Sequence, residues 1–287
     1  MKNLKIKSHC KVNLSLNIIK KLKNGYHNIN SLITFCKLHD VITISKIKDT
    51  KDKISFSGQF KKGINKKSNT ITKTLNLLRK SNFFKKQRFK INVHKNIPHG
   101  SGLGGGSSNA AALLNFFNIK MGLKMKKSKI KMIAKNIGFD TPICLKKKNT
   151  LLTGRKDEIL RLNKKFSLNI ILLYPNLNCS TKKIYQKHII EKQNKFHLFF
   201  NKKGKKELIN YLLKQNNDLQ KTVFKLYPKI KGIISFVNSQ KGCHFSRISG
   251  SGSSCIGIFS NKKNLAKAQK LIKIKYPNFW CVASKTI

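Results

Sequence analysis

Between Pro98 and Asn109 the chain reads Pro-His-Gly-Ser-Gly-Leu-Gly-Gly-Gly-Ser-Ser-Asn, which puts five glycines into one short loop. Glycine allows positive φ and lets backbone N–H groups come close to an anion, so this composition suits a phosphate cradle. Ala110, Ala111, Leu113, Leu114 and Phe117 follow at helical spacing, and a helix starting here would add the positive end of its dipole to the cradle. Ser107, Ser108 and Asn109 are expected to cap that helix and to supply side-chain donors. The alternative is a flexible Gly/Ser linker, which would not ordinarily open an Ala/Leu-rich helix or follow a strand-like run such as Phe89 to Val93. The Lys-Ser/Thr pair that ends the Walker motif is absent, and the spacing does not fit the dinucleotide fingerprint, which also wants an acidic residue about 20 positions later.

An acid or base must come from nine carboxylates. Asp49, Asp52, Glu191 and Glu207 lie among lysines and are expected on solvated surface. Asp140 differs, because it follows a helix stop at Gly138 in Gly-Phe-Asp-Thr-Pro and precedes apolar Ile143 and Cys144. As a turn residue it could simply cap local N–H groups. The sharper reading is that it orients and deprotonates a substrate hydroxyl, as transfer of a γ-phosphoryl group to an alcohol requires. Lys11, flanked by Cys10 and Val12 in an apolar strand, is a second candidate, although its own surroundings leave it one lysine among many that are expected to be solvated.

The elements that must position these groups alternate between strand and helix. Val12, Leu14, Leu16 and Ile18 repeat at period two, a strand with one buried face, and Asn24-Gly25 makes a turn. Ser31 to Phe35 and Val41 to Ile44 read as separate strands, and Ile71 to Arg79 as a helix. Ser128 is expected to cap a helix bearing Ile130, Ile133 and Ile137 that stops at Gly138. A boundary is expected in the charged stretch from Leu151 to Lys165, dividing the chain into an N-terminal domain 1-157 and a C-terminal domain 158-287. After it come the strand Leu168 to Tyr174, helices at 182–191, 205–213 and 219–237, strands His244 to Ile248 and Cys255 to Phe259, the helix Asn264 to Ile274 and the strand Phe279 to Ala283. The class is α+β, with a ferredoxin-like α/β layer in the second half.

A length of 287 residues allows two domains with their own cores. The longest apolar runs are too short for a membrane span and the lysine-rich start lacks an apolar signal core, so a cytoplasmic chain with no membrane partner is expected. Seven scattered cysteines without Cys-x-x-Cys spacing argue against a disulfide framework and a zinc site, and no metal ligand is assigned. The net charge of +53 would ordinarily point to nucleic acid, but only 5 of the 62 basic residues are arginine and the lysines run along the whole chain. Abundant Asn and Ile accompany them, which favours A+T-rich coding over selection for a specific nucleic-acid partner.

The glycine loop resembles the Pro-x-x-x-Gly-Leu-Gly-Ser/Gly-Ser-Ser signature of the GHMP kinase superfamily, small-molecule kinases that hold ATP with this loop. Lys11, Asn13 and Leu14 with Gly25, Tyr26 and His27 resemble the start of one branch, whose members phosphorylate a CDP-linked methylerythritol in the non-mevalonate isoprenoid pathway. Gly138 to Pro142 is similar to that branch's Gly-Ala-Asp-Val-Pro, Asn217-Asp218-Leu219 to its Asn-Asp-Leu, and Ser249 to Ser253 to its third, glycine-rich motif. The resemblance implies a two-domain GHMP kinase fold, with an N-terminal ribosomal-protein-S5-domain-2-like domain and a C-terminal ferredoxin-like one. It implies ATP and Mg²⁺, a monomer or weak homodimer, Asp140 as base and Lys11 beside it steadying charge on the reacting oxygens. ATP would be held by Asn69, Lys95, Pro98, Gly100, Gly102, Leu103, Gly104, Gly105, Gly106, Ser107 and Ser108. Asn13 would orient the acceptor, His27 would hydrogen-bond its base, and Tyr26 and Tyr185 would stack on it. His99 and Ser101 depart from the family pattern, and the stretch 154–158 follows the usual Gly-x-Gly-Glu too loosely to carry a role. Other GHMP kinases, acting on homoserine, mevalonate or a sugar, and a basic nucleic-acid-binding protein are the competing readings.

Overall fold

The computed structural model describes residues 3–23, 25–153, 158–163, 165–190 and 204–287. Asn24 of the expected turn, the stretch 154–157 with the expected domain boundary, and Glu191 lie outside the described residues. In chain order the elements begin β1 (Leu4–Asn13), β2 (Asn17–Lys21), β3 (His27–Ile47), β4 (Lys53–Ser57), α1 (Thr70–Lys80) and β5 (Arg88–His94). They continue with α2 (Gly105–Lys120), α3 (Lys127–Ile137), α4 (Thr141–Cys144), β6 (Thr150–Thr153), β7 (Glu158–Arg161) and β8 (Asn169–Tyr174). The last are α5 (Thr181–Lys187), α6 (Lys205–Leu213), α7 (Leu219–Leu226), α8 (Lys229–Asn238), β9 (Cys243–Ile248), β10 (Cys255–Phe259), α9 (Lys262–Lys275) and β11 (Trp280–Lys285). Two compact units form, one from Met1–Lys11, Leu38–His99 and Gly104–Lys147, the other from Val12–Lys37, Gly100–Leu103 and Lys148–Ile287.

In the first unit β5 pairs antiparallel with the second half of β3 and parallel with β4. The alternation in Arg-Phe-Lys-Ile-Asn-Val-His buries Phe89, Ile91 and Val93 on one face. Helix α1 presents Ile71, Leu75 and Leu78 to the same core, a spacing that keeps three side chains on one stripe. Asn69 caps it, accepting from the N–H groups of Ile71 and Thr72 at 3.0 Å each. Helix α2 is buried on most of its surface, and Phe117 meets the rings of Phe84 and Phe89 at 4.9 Å each.

In the second unit β8, β9, β10 and β11 form an antiparallel sheet in the order β11-β8-β10-β9. With α5 to α8 between β8 and β9, and α9 between β10 and β11, this is the ferredoxin-like βαββαβ arrangement. All six residues of β8 are buried, as expected of a central strand with both faces covered. Strand β6 pairs with the first half of β3 and with β7.

Several local expectations need correction. Val12, Leu14, Leu16 and Ile18 are all buried, but Asn13 and Ser15 are buried too, and the strand breaks between β1 and β2 where Leu16 bridges Asn217. The two strands expected at 31–35 and 41–44 are one continuous β3. The helix expected over 219–237 is two, because Pro228 removes an N–H donor and starts α8 afresh. Ser107, Ser108 and Asn109 lie inside α2, whose N-cap is Gly104, and α3 begins at Lys127 with no side-chain cap from Ser128. Asp52 is no solvated bystander: it accepts from Arg79 and from the Phe89 N–H at 2.9 Å. Among the described residues no helix is long and apolar enough to cross a membrane.

Because Phe117 is fully buried among aromatic rings, Phe117→Ala is expected to cost about 3–5 kcal/mol of stability, read from the shift in a urea unfolding midpoint.

Candidate active site

The fold keeps nearly all of its lysines in solvent, and among the described residues only Lys11 and Lys95 are buried. Each is paired with a carboxylate, as burial of an ammonium demands. Lys11 Nζ lies 3.0 Å from Asp140 Oδ2, with the lysine side chain 5% exposed and the aspartate 41%. Asp140 stands at the N-cap position of α4 but makes no side-chain cap bond, so its carboxylate serves Lys11 instead of the local turn.

Gly104 makes room for this pair. It sits at φ 65°, and a Cβ there would come within 2.4 Å of Lys11 Cγ and 2.9 Å of its Cε. The same glycine opens α2 without a side-chain cap, leaving first-turn N–H groups of a sixteen-residue helix for an anion. Ser108 donates its hydroxyl to Cys144 Sγ at 3.3 Å, fastening α2 to the short helix that follows Asp140.

Lys95 is held beneath the same turn, its ammonium 3.2 Å from where a Cβ on Gly105 would lie. Its partner Asp40 also accepts from the N–H groups of Asn96 and Ile97, at 2.8 and 2.9 Å, and so clamps the stem of the loop just before Pro98. Asn69 spends its side chain on the α1 cap and on the carbonyls of Asn65 and Lys66, while its neighbour Thr70 donates to the Gly106 carbonyl at 2.9 Å. Asp40 and Thr70 were not singled out from the sequence. Thr70 adjoins a recognised motif residue, whereas Asp40 lies in a strand with nothing local to mark it.

In the second unit the residues 100–103 are fastened to the third glycine-rich motif. Ser249 Oγ donates to the Gly102 carbonyl at 3.1 Å, and the Ser254 N–H donates to the Ser101 carbonyl at 3.0 Å. Gly102 has φ 82° and would carry a Cβ 2.3 Å from the Ser249 carbonyl oxygen, so no other residue fits. Asn13 donates from Nδ2 to Ser31 Oγ at 2.8 Å. Asn217 gives its amide to the carbonyls of Ile248 and Gly250, and Asp218 accepts from the Ile18 N–H at 2.7 Å. The rings of His27 and Tyr185 meet at 5.1 Å between centroids, tilted by 42°, and Tyr26 is 54% exposed. Burial, aided by the charges of Lys21 and His188, lowers the His27 pKa below the usual histidine value, so the neutral ring can both donate and accept at pH 7.

The model for the GHMP kinases N terminal domain matches residues 69–148, and that for GHMP kinases C terminal matches 200–278. The chain belongs to the GHMP kinase family. A 4-diphosphocytidyl-2-C-methyl-D-erythritol kinase of Pelagibacter ubique is 42% identical to it over 287 residues, covering 100% of both chains. Among solved structures, a 4-(cytidine 5'-diphospho)-2C-methyl-D-erythritol kinase superposes with a TM-score of 0.77 at 21% identity, covering 99% of this chain and 100% of the other. A homoserine kinase from Cytophaga hutchinsonii gives 0.74 at 16% identity, over 100% and 95%. The two scores are so close that backbone likeness alone does not choose the acceptor.

Gly104→Ala is expected to displace Lys11 and to lower kcat by about 10²-fold, the usual scale for misplacing a reacting group by an ångström. Unchanged turnover in the folded variant would place Lys11 outside the reaction.

Proposed function

We propose that this chain transfers the γ-phosphoryl group of ATP to the 2-hydroxyl of 4-diphosphocytidyl-2-C-methyl-D-erythritol, a step of the non-mevalonate isoprenoid pathway. The observation that carries the transfer chemistry is the Lys11–Asp140 pair held against the first turn of α2. The full-length 42% identity to a kinase of that name carries the choice of acceptor.

In this reading the N–H groups opening α2, with residues Pro98 to Ser108, hold the phosphates of ATP, while Lys95 and Asn69 lie near the nucleotide. Asp140 accepts the proton of the acceptor hydroxyl as its oxygen bonds to the γ-phosphorus and the bond from that phosphorus to the bridging oxygen breaks, leaving ADP and a phosphomonoester. In a loose, metaphosphate-like transition state positioning matters more than early proton removal. Lys11 steadies charge on the reacting oxygens.

Mg²⁺ neutralises phosphate charge in such transfers. In this reading a magnesium ion would be carried chiefly by the nucleotide's phosphates and water. For the acceptor, Tyr26 and Tyr185 are the stacking faces, His27 the hydrogen-bonding partner of the base and Asn13 an orienting group. The reading further takes the chain as cytoplasmic, as a monomer or weak homodimer, and as divided at 157/158 into N- and C-terminal kinase domains.

The test is a panel of alcohols with ATP, scored for ADP release: the CDP-linked methylerythritol, homoserine, mevalonate and galactose. Turnover is expected with the first alone, and Tyr26→Ala should weaken that substrate roughly ten- to a hundred-fold, in line with about 1–3 kcal/mol for an aromatic stacked on a base, while ATP affinity holds. Activity on homoserine or mevalonate without the CDP-linked alcohol would overturn the assignment.

A further inference from the structure

Arg247, on β9, is buried, and among the described residues no carboxylate pairs with it. Burial lowers its pKa to about 10, and the guanidinium remains charged at neutral pH. A buried cation without an anion is unfavourable unless its donors are satisfied, which points to a specific task for this one.

Its donors go to two carbonyls from distant parts of the chain. Nη1 reaches the Leu14 oxygen at 3.0 Å and Nη2 the Leu212 oxygen at 2.9 Å, while the guanidinium lies 4.0 Å from the centre of the Phe245 ring. Leu14 sits in the break between β1 and β2, where its N–H donates to the Leu32 carbonyl of β3 at 2.7 Å while its own carbonyl turns to Arg247. Two residues further along from Arg247, Ser249 Oγ accepts the N–H of Asn13 at 3.2 Å. One short segment therefore grips the backbone on both sides of Asn13, whose side chain is in turn fixed on Ser31. The planar fork of arginine serves two carbonyls at once, a geometry that the point charge of lysine does not reproduce.

We propose that Arg247 is a positioning residue for the acceptor substrate: by holding the Leu14 carbonyl it fixes the backbone that presents Asn13. The proposal rests on the reading of Asn13 as an acceptor-binding residue.

Arg247→Lys keeps the charge, and Arg247→Gln keeps an amide NH2 donor without it. Steady-state kinetics of both, of Asn13→Ala and of the Arg247→Lys/Asn13→Ala double variant separate the possibilities, with thermal melts reporting folding. The expected result is an acceptor KM raised about tenfold in each Arg247 variant, an unchanged KM for ATP, and a double variant no worse than Asn13→Ala alone. An unchanged acceptor KM, equal rises for both substrates, multiplying losses in the double variant, or failure of both Arg247 variants to fold would overturn it. Failure of the underlying reading shows separately, as an acceptor KM that Asn13→Ala leaves at the wild-type value.

Discussion

The ion pair between Lys11 and Asp140 sets what the first unit must accommodate. An ammonium on a stem that is 5% exposed cannot stay there without a partner, since withdrawing such a charge from water costs several kcal/mol even after relaxation. The stem needs a path, and Gly104 supplies it by having no side chain where Lys11 passes. The carboxylate needs a fixed height, which comes from the stop of α3 at Gly138 and from the packing of α4 on α2 through Ser108 and Cys144. One glycine thus both starts α2 and admits the lysine that pairs with Asp140.

The second buried lysine repeats the logic with a different outcome. Lys95 and Asp40 are both almost wholly removed from solvent, and Asp40 spends its other oxygen on two backbone N–H groups of the loop stem. That pair is structural scaffolding for the stem of the glycine loop, whereas Asp140 keeps 41% of its side chain open to solvent. The difference in exposure separates a carboxylate sealed against a loop stem from one that is open on one side. In the second unit the Asn217-Asp218 and Ser249 to Ser254 motifs play the scaffolding part: Asn217 holds the Ile248 carbonyl, Asp218 holds the Ile18 N–H and the Leu16 carbonyl, and Ser249 holds the Asn13 N–H.

Much of this was legible in the sequence because the chemistry demands unusual local composition. Five glycines before an Ala/Leu helix are hard to explain otherwise, and a carboxylate just past a glycine helix stop stands out in a chain with nine acids. The ferredoxin-like half followed from the alternation of elements. Long-range contacts were not legible. The pairing of Asp40 with Lys95 spans 55 positions, and Arg247 reaches Leu14 across 233, with no local pattern to announce either. Cap assignments failed at α2 because a glycine in the left-handed region replaced the serines that local preference favours there. The strand break at 14–16 was missed because its apolar positions are buried as the period-two pattern requires, while the polar residues between them are buried by tertiary packing.

The most direct measurement is a double-mutant cycle on kcat for Lys11→Met, Asp140→Asn and the combined variant, each checked for folding and for ATP affinity. If the two residues act as one unit, each single change lowers kcat by roughly 10²-fold or more and the combined variant falls no further than the worse single one, with ATP binding little altered. Near-normal kcat in the folded Asp140→Asn enzyme, or losses that multiply across the cycle, would contradict the account.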